Sequence, residues 1–455
     1  MRLALALFTC GLAFAAEPLI DAAKAGNKET LRSLLQKKTD ANQAEPDGTT
    51  ALHWAAYRDD AESAELLLKA GAKANATTDL GATPLWLGAQ NGSAAVVKRL
   101  LDAGANPNLA LESGETPLMV ASRGGYAAVA ELLLAKGANP DAHGTRGQTA
   151  LMWAISQRHP EVVKVLIAHK ANLHLKSDTW SEVMAVPPHG YRPYNITVPH
   201  GAETALMFAA RVGDLESAKL LLAAGANPND ADAWGISALT LAAHSDFTEV
   251  VLLLLDKGAD PNRAPNGFTA LHEAILRRNE KLITALLDHK ADANFPVKQW
   301  TPTRRSSDDF HFEPSMVGAS PLWLAARFNQ PNTMKLLLAH GADPKFVHNA
   351  DYVVEAGFAA ANRKETVNIL GAAVGMLRMS PWVETPKAER DALIFEAVKL
   401  AVDNGADLNT LNTDGHTPLD AAKTLGIKPV IDYLTEKGAK PGTTPPLTPG
   451  RGRGR

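Results

Sequence analysis

The side chains able to do chemistry in this chain are mostly histidines, and their spacing argues against the reactions histidine usually supports. His272-Glu273 is the first half of a zinc-hydrolase signature, in which a second histidine one turn on completes the metal site and the glutamate acts as general base. That histidine is missing: Asn279 and Glu280 stand where a later turn would need ligands. His169, His174, His189 and His200 lie loosely together without regular spacing or paired carboxylates, the pattern of solvated loop residues rather than of a metal site. Cys10 is the single cysteine. A disulfide framework, a thiolate metal site and covalent c-type haem attachment therefore fall away together. There is no glycine-rich phosphate loop, no G-x-S-x-G and no nucleophile–base pair at motif spacing. The expectation is a chain that is not an enzyme and holds no metal or cofactor.

The remaining chemistry is recognition. Aromatic residues make up only 6% of the chain, yet they gather in a few segments. Residues 178–201 hold Trp180, Tyr191 and Tyr194 among four prolines, Pro187, Pro188, Pro193 and Pro199. Residues 295–318 hold Trp300, Arg304, Arg305, Phe310 and Phe312, and residues 345–363 hold Phe346, Tyr352 and Phe358. A fourth segment, 377–387, carries Trp382. Trp, Tyr and Arg on long loops have the composition of binding hot spots. The competing reading is that these rings fold back and pack their own loops. Trp234 is open to the same two readings, since it occupies a turn tip where other units carry Asp47, Leu80, Arg146 or Asn266. The candidate partner-binding set is thus Trp180, Tyr191, Tyr194, Trp234, Trp300, Arg304, Arg305, Phe310 and Phe312.

These segments interrupt a repeat, and the repeat must position them. Leu52, Leu85, Leu118 and Leu151 recur at intervals of 33 residues, and the same leucine returns at Leu206, Leu239, Leu271, Leu322 and Leu419. It lies in a T-[AP]-L-x-x-[AG] motif, followed later by G-A-[DN] at Gly71, Gly104, Gly137, Gly225, Gly258, Gly341, Gly405 and Gly438. Lys38, Lys170 and Lys290 take the glycine position in three units. Thr is a helix N-cap, and Pro84, Pro117, Pro321 and Pro418 fall at the first helical position, where no N–H is needed. Ala55-Ala56 and Ala209-Ala210 allow neighbouring first helices to approach closely. Runs such as Leu66-Leu67-Leu68 and Leu220-Leu221-Leu222 make second helices that must be buried on most sides. Asn75, Asn108, Asp141, Asn229, Asn262 and Asn409 then mark a tight projecting turn.

With Asp47-Gly48-Thr49-Thr50-Ala51-Leu52-His53-Trp54-Ala55-Ala56, closing on Leu66-Leu67-Leu68-Lys69-Ala70-Gly71-Ala72, the chain strongly resembles the ankyrin repeat family over about residues 18–440. Pro is replaced by Ala at 51, 150, 205 and 270, and the motif histidine survives only as His53 and His272. The resemblance implies an all-α ankyrin repeat solenoid of about eleven helix-turn-helix units, with three long turn-side insertions, and protein–protein recognition through a concave face and turn tips. It also implies local hydrogen bonding as the role of His53 and His272. The first unit, about 18–46, reads as a polar cap. Residues 341–405 read as one expanded unit with helices at Thr366–Gly375 and Ala388–Asn404, or as two degenerate units. A second functional reading is a sugar or peptide pocket lined by Trp180, Tyr191, Tyr194 and Trp300.

The ends carry their own signals. Arg2, the apolar run Leu3–Phe14 and Ala13-Phe14-Ala15 before Ala16 read as a signal peptide over residues 1–16, with a first-repeat helix or lipoprotein processing at Cys10 as alternatives. Residues 17–440 form the array, and 441–455 a Pro/Gly/Arg tail read as disordered. Asn195-Ile196-Thr197 matches a glycosylation sequon. The net charge of −3 supplies no bulk attraction to nucleic acid, and no apolar run reaches the length of a membrane span. The expected setting is periplasmic or secreted, and the expected partner a protein.

Overall fold

The structure, a computed structural model, describes residues 18–184, 196–301, 312–356, 359–376 and 386–444. It divides into two compact units between Ser177 and Asp178. The first unit contains α1 Pro18–Ala25, α2 Lys28–Gln36, α3 Ala51–Tyr57, α4 Ala61–Lys69, α5 Pro84–Gln90, α6 Ala94–Asp102, α7 Pro117–Arg123, α8 Ala127–Ala135, α9 Ala150–Ser156 and α10 Pro160–Ala168. The second contains β1 Trp180–Met184, β2 Ile196–His200, α11 Ala205–Val212, α12 Leu215–Ala223, α13 Ala238–His244, α14 Thr248–Asp256, α15 Ala270–Arg277, α16 Glu280–Asp288, α17 Pro321–Arg327, α18 Pro331–Ala339, β3 Val347–Ala356, β4 Ala359–Asn368, α19 Ile369–Ala373, α20 Lys387–Asp403, α21 Pro418–Leu425 and α22 Lys428–Glu436. Within each unit the described α-helices pack as successive pairs, first helix on first helix and second on second.

Local sequence accounts for each pair. Thr83 Oγ1 accepts from the Trp86 N–H at 3.1 Å, capping a first helix that begins with Pro84. Ala55, Ala56, Ala209 and Ala210 are buried where first helices meet. Leu67, Leu100, Leu133 and Leu166 of successive second helices are fully buried between their neighbours. Each second helix ends in a left-handed residue, such as Gly258 at φ 86°. Lys38, Lys170 and Lys290 adopt the same conformation at φ 61°, 62° and 71°. A side chain there costs about 1–2 kcal/mol, which stacking on the neighbouring pair offsets. The terminal helix α2 buries only Leu31, as a polar cap requires.

The Asn of each turn does more than bend the chain. Its side chain bridges to the next pair, accepting one backbone N–H and donating to one carbonyl. Asn75 binds Gly104 O at 3.2 Å and the Asn106 N–H at 2.7 Å. Asn108 binds Gly137 O at 2.9 Å and the Asn139 N–H at 2.7 Å. Asn229 and Asn262 repeat the pattern in the second unit. Asn294 makes the same two bonds, both 2.8 Å, to Gly341 O and the Asp343 N–H, across the whole second insertion. The inserted residues are therefore added to the stack without shifting its register. Asn108→Ala should cost about 1–2 kcal/mol, two net hydrogen bonds. In a urea melt this is a lower midpoint at unchanged slope; an unmoved midpoint would remove the rung from the stabilising contacts.

Two insertions add β-structure to the helical stack. β1 pairs antiparallel with β2, from Trp180 opposite His200 to Met184 opposite Ile196. β3 pairs with β4 over ten residues each, from Val347 opposite Asn368 to Ala356 opposite Ala359. The alternation along β3 is the cause: His348 and Ala350 are buried, while Val347, Asn349 and Asp351 are exposed. The region after Gly341 forms one expanded pair, α19 with α20. Its first helix is shorter than the expected Thr366–Gly375, because Thr366–Asn368 belong to β4 and Asn368 Oδ1 caps α19 by accepting from the Gly371 N–H at 2.8 Å.

Candidate partner-binding surface

The first helices and projecting turns carry several charged and aromatic side chains, among them Glu115, Arg123 and Trp153. In the first unit they border a cleft of about 440 Å³ lined by Glu115, Met119, Arg123, Arg146, Gln148 and Trp153. Arg123 Nη1 lies 2.5 Å from Glu115 Oε1, and its guanidinium stands 5.3 Å from the Trp153 ring centre. Ion pair and cation–π contact together hold the guanidinium in one place.

The sequence-predicted residues divide. Trp180 lies on β1, 44% exposed, with its ring stacked on that of His200 at 5.4 Å and 17°. Trp234 is half-buried on the turn before α13, its backbone N–H donating to Asp232 Oδ1 at 2.9 Å. Trp300 is half-buried at the start of the second insertion. Tyr191, Tyr194, Arg304, Arg305 and Phe310 lie outside the described residues, as do residues 1–17, Phe358, Trp382 and the tail beyond 444.

Phe312 is not a surface residue. It is fully buried, 4.4 Å from the Phe268 ring, and edge-on to His272 at 6.1 Å. The two stems of the second insertion pair with each other, Val297 N to Ala319 O at 2.9 Å and Thr301 N to Phe312 O at 2.9 Å. That pairing carries Phe312 inward over the first turn of α15. For this ring the fold-back reading is the correct one, and Phe312 belongs to the core.

The insertions that the structure brings together are the second and third. His348 on β3 is buried, and its Nε2 lies 2.9 Å from Ser315 O in the second insertion. Its ring packs against Trp323 of α17 at 4.6 Å, and Trp323 Nε1 donates to Val367 O on β4 at 3.0 Å. Farther along the hairpin the Tyr352 hydroxyl donates to Glu365 Oε1 at 3.0 Å. Burial raises the Tyr352 phenol well above its ordinary range, with the nearby Glu365 carboxylate adding to it. Burial also raises the Glu365 carboxyl.

Three other described histidines make local contacts. His53 Nδ1 accepts from the Thr50 N–H at 3.1 Å, and His53 Nε2 donates to Ala82 O of the next turn at 3.0 Å. His272 repeats this with Thr269 at 3.0 Å and Phe295 O at 3.0 Å. His169 Nε2 lies 3.0 Å from Glu131. Sequence reading overlooked His348, Trp323 and the Tyr352–Glu365 pair, although the period-two pattern of residues 347–353 was available to find them.

A family model for ankyrin repeats in three copies matches residues 19–110, 85–177 and 204–297, and one for a single ankyrin repeat matches 317–349. The chain belongs to the ankyrin repeat family. Such repeats generally mediate protein–protein interaction, so this ankyrin repeat protein is a binding scaffold in kind. It is 30% identical over 181 residues to an ankyrin repeat and KH domain-containing protein of Caenorhabditis briggsae, covering 39% of this chain and 6% of that one. It is 44% identical over 89 residues to an ankyrin repeat-containing protein of Treponema pallidum (strain Nichols), covering 19% of this chain and 30% of that one. The matches thus span only a small part of these relatives. The human ASB11 ankyrin repeat domain is a solved structure of 30% identity, covering 54% of this chain and 99% of that one at a TM-score of 0.44. The family matches stop at 177 and resume at 204, and stop at 297 and resume at 317. Those gaps coincide with the first two insertions, which lie outside the family's repeat pattern.

Proposed function

We propose that this ankyrin repeat protein is an exported scaffold that recognises a protein partner through its first-helix face, turn tips and insertions, with the second and third insertions acting as one recognition body. The observation that carries this is the His348–Ser315 bond, which joins two segments that the repeat itself does not require. Segments that leave the repeat yet pack in order have a role other than stacking. Export rests on Arg2, the apolar run Leu3–Phe14 and the small-residue cleavage pattern. Fractionation followed by the mass of the mature amino terminus tests it, with an intact Met1 in the cytoplasm counting against it.

The partner reading is tested by capture from the exported fraction. Because Phe312 and the insertion stems are part of the core, only residues 302–311 should be replaced by a short turn, and in a second protein only 354–361 of the hairpin. Both proteins should melt as the wild type does and lose the partner. Retention of every partner by both would remove the insertions from the binding site.

A further inference from the structure

The cleft of the first unit repeats, with one difference, an arrangement found at the start of the stack. Lys24 and Arg123 stand at the same place in their first helices, five residues beyond Leu19 and Leu118. Trp54 and Trp153 stand two residues beyond Leu52 and Leu151 in the first helices that follow. Each cation lies over the ring of its tryptophan, Lys24 Nζ at 4.7 Å and the Arg123 guanidinium at 5.3 Å. Each also pairs with a glutamate, Lys24 with Glu45 at 3.5 Å and Arg123 with Glu115 at 2.5 Å. In the first set the groups satisfy one another, because Trp54 Nε1 donates to Glu45 Oε2 at 2.9 Å. In the second set they do not. Among the described residues Trp153 Nε1 has no acceptor, and Arg123 makes a single side-chain hydrogen bond, from Nη1 to Glu115 Oε1. The stack forms with the set closed or open, so stacking does not account for the open groups in the cleft.

Those groups have a shape that a ligand must match. Glu115 takes Nη1 of Arg123 and leaves Nε and Nη2, the parallel pair of donors that fits the two oxygens of a carboxylate. The Arg123 side chain is 37% exposed, so the guanidinium meets solvent in the free protein. Gln148 lines the same cleft, and its amide has no hydrogen-bond partner among the described residues. A side-chain amide sets a donor beside an acceptor, the complement of a peptide group. Met119 and Trp153 add apolar surface. The cleft of about 440 Å³ is far larger than a lone carboxylate fills and lies in the size range of ligand sites. Glu115 itself stands beside the guanidinium, and its charge disfavours a dianion such as phosphate there.

We propose that this cleft receives the C-terminal end of a polypeptide. The terminal carboxylate lies on the Nε–Nη2 edge of Arg123, the last peptide group on the Gln148 amide, and an apolar terminal side chain against Met119 and Trp153. Capture of a chain-end carboxylate is an established way for a protein to read a peptide. A free amino acid would leave the Gln148 amide without its peptide group. An internal Asp or Glu side chain would bring a carboxylate, but two chain ends would then have to leave the cleft. The inference rests on the reading that the first helices and turns receive a protein partner, and not on the insertions, which contribute no residue to the cleft.

The test uses the full chain and the tripeptide N-acetyl-glycyl-alanyl-leucine, once as the free acid and once as the C-terminal carboxamide. Binding is followed on the indole N–H resonance of Trp153, assigned by its loss in Trp153→Phe, with urea melts confirming that each variant is folded. The free acid should shift that resonance to saturation, and the carboxamide should bind about tenfold more weakly, the scale of one charge-assisted pair. Arg123→Lys keeps the charge but not the paired donors, so it should lose the preference for the acid. Gln148→Ala should weaken binding of the acid severalfold. An unmoved Trp153 resonance, equal affinity for acid and carboxamide, or an unchanged preference in Arg123→Lys would each overturn the proposal. So would free leucine or inorganic phosphate binding as tightly as the tripeptide. If the peptide fails while the insertion-shortened proteins lose their captured partner, this inference falls and the insertion reading stands.

Discussion

Trp323→Ala should destabilise the second unit by about 3–5 kcal/mol, the range for deleting a buried Trp or Phe side chain. Trp323 is fully buried, packs on His348 at 4.6 Å and donates its indole N–H to Val367 O at 3.0 Å. It therefore fastens α17 to both strands of the β3–β4 hairpin. Removing it opens a cavity and leaves the Val367 carbonyl without its donor. Amide exchange across 347–356 and 359–368 should accelerate, and exchange in the first unit should not change. Trp323→Phe keeps most of the apolar contact and should cost less, about 1–3 kcal/mol for the unsatisfied carbonyl. A fall of under about 1 kcal/mol in the alanine variant would show that the hairpin is held elsewhere.

Acid should weaken the fold before most carboxylates titrate. Burial pushes His272 down from its ordinary 6.5 to about 4, and burial lowers His53 and His348 as well. Each of the three is held by a backbone carbonyl facing Nε2, and in His53 and His272 Nδ1 accepts from a backbone N–H, so both of those rings are fixed in the neutral form. The folded state therefore binds fewer protons than the unfolded chain wherever the unfolded histidine is charged. The stability present above pH 6.5 is lost as pH falls through the window from 6.5 to about 4, and the loss from His272 stops below that value. At about 1.4 kcal/mol per pH unit, His272 alone accounts for roughly 3 kcal/mol. Urea melts at a series of pH values should show the decline, and His272→Gln should flatten it. An identical slope in that variant would place the acid sensitivity in other groups.

Both predictions concern residues whose legibility differed. His272 could be read from sequence because its role is local: Thr269 is three residues away, and a capping bond needs only the first turn of a helix. The Asn turns could be located but not understood, since the groups they bind lie about one repeat further along the chain. Trp323 looked like any aromatic residue of a first helix, because its hydrogen-bond partner is 44 positions away on a strand that the helical pattern did not announce. Phe312 was misjudged for the same reason. Its composition matched a binding loop, while the pairing of Thr301 with Phe312 turned it toward Phe268.

The sequence by itself determined the repeat: the caps, the proline starts, the alanine contacts, the leucine-rich second helices and the left-handed stops all act within one unit and its copy. An array of near-identical units declares its own neighbours, so the stacking of first helix on first helix needed no further information. Only the tertiary structure decided what the departures from the repeat do. It folded residues 347–368 into a hairpin, joined that hairpin to the second insertion through His348 and Ser315, and placed His244 against the buried Glu273. These contacts depend on which side chain a neighbouring unit presents at a given depth, and burial at that depth is a property of the packed stack rather than of any one segment.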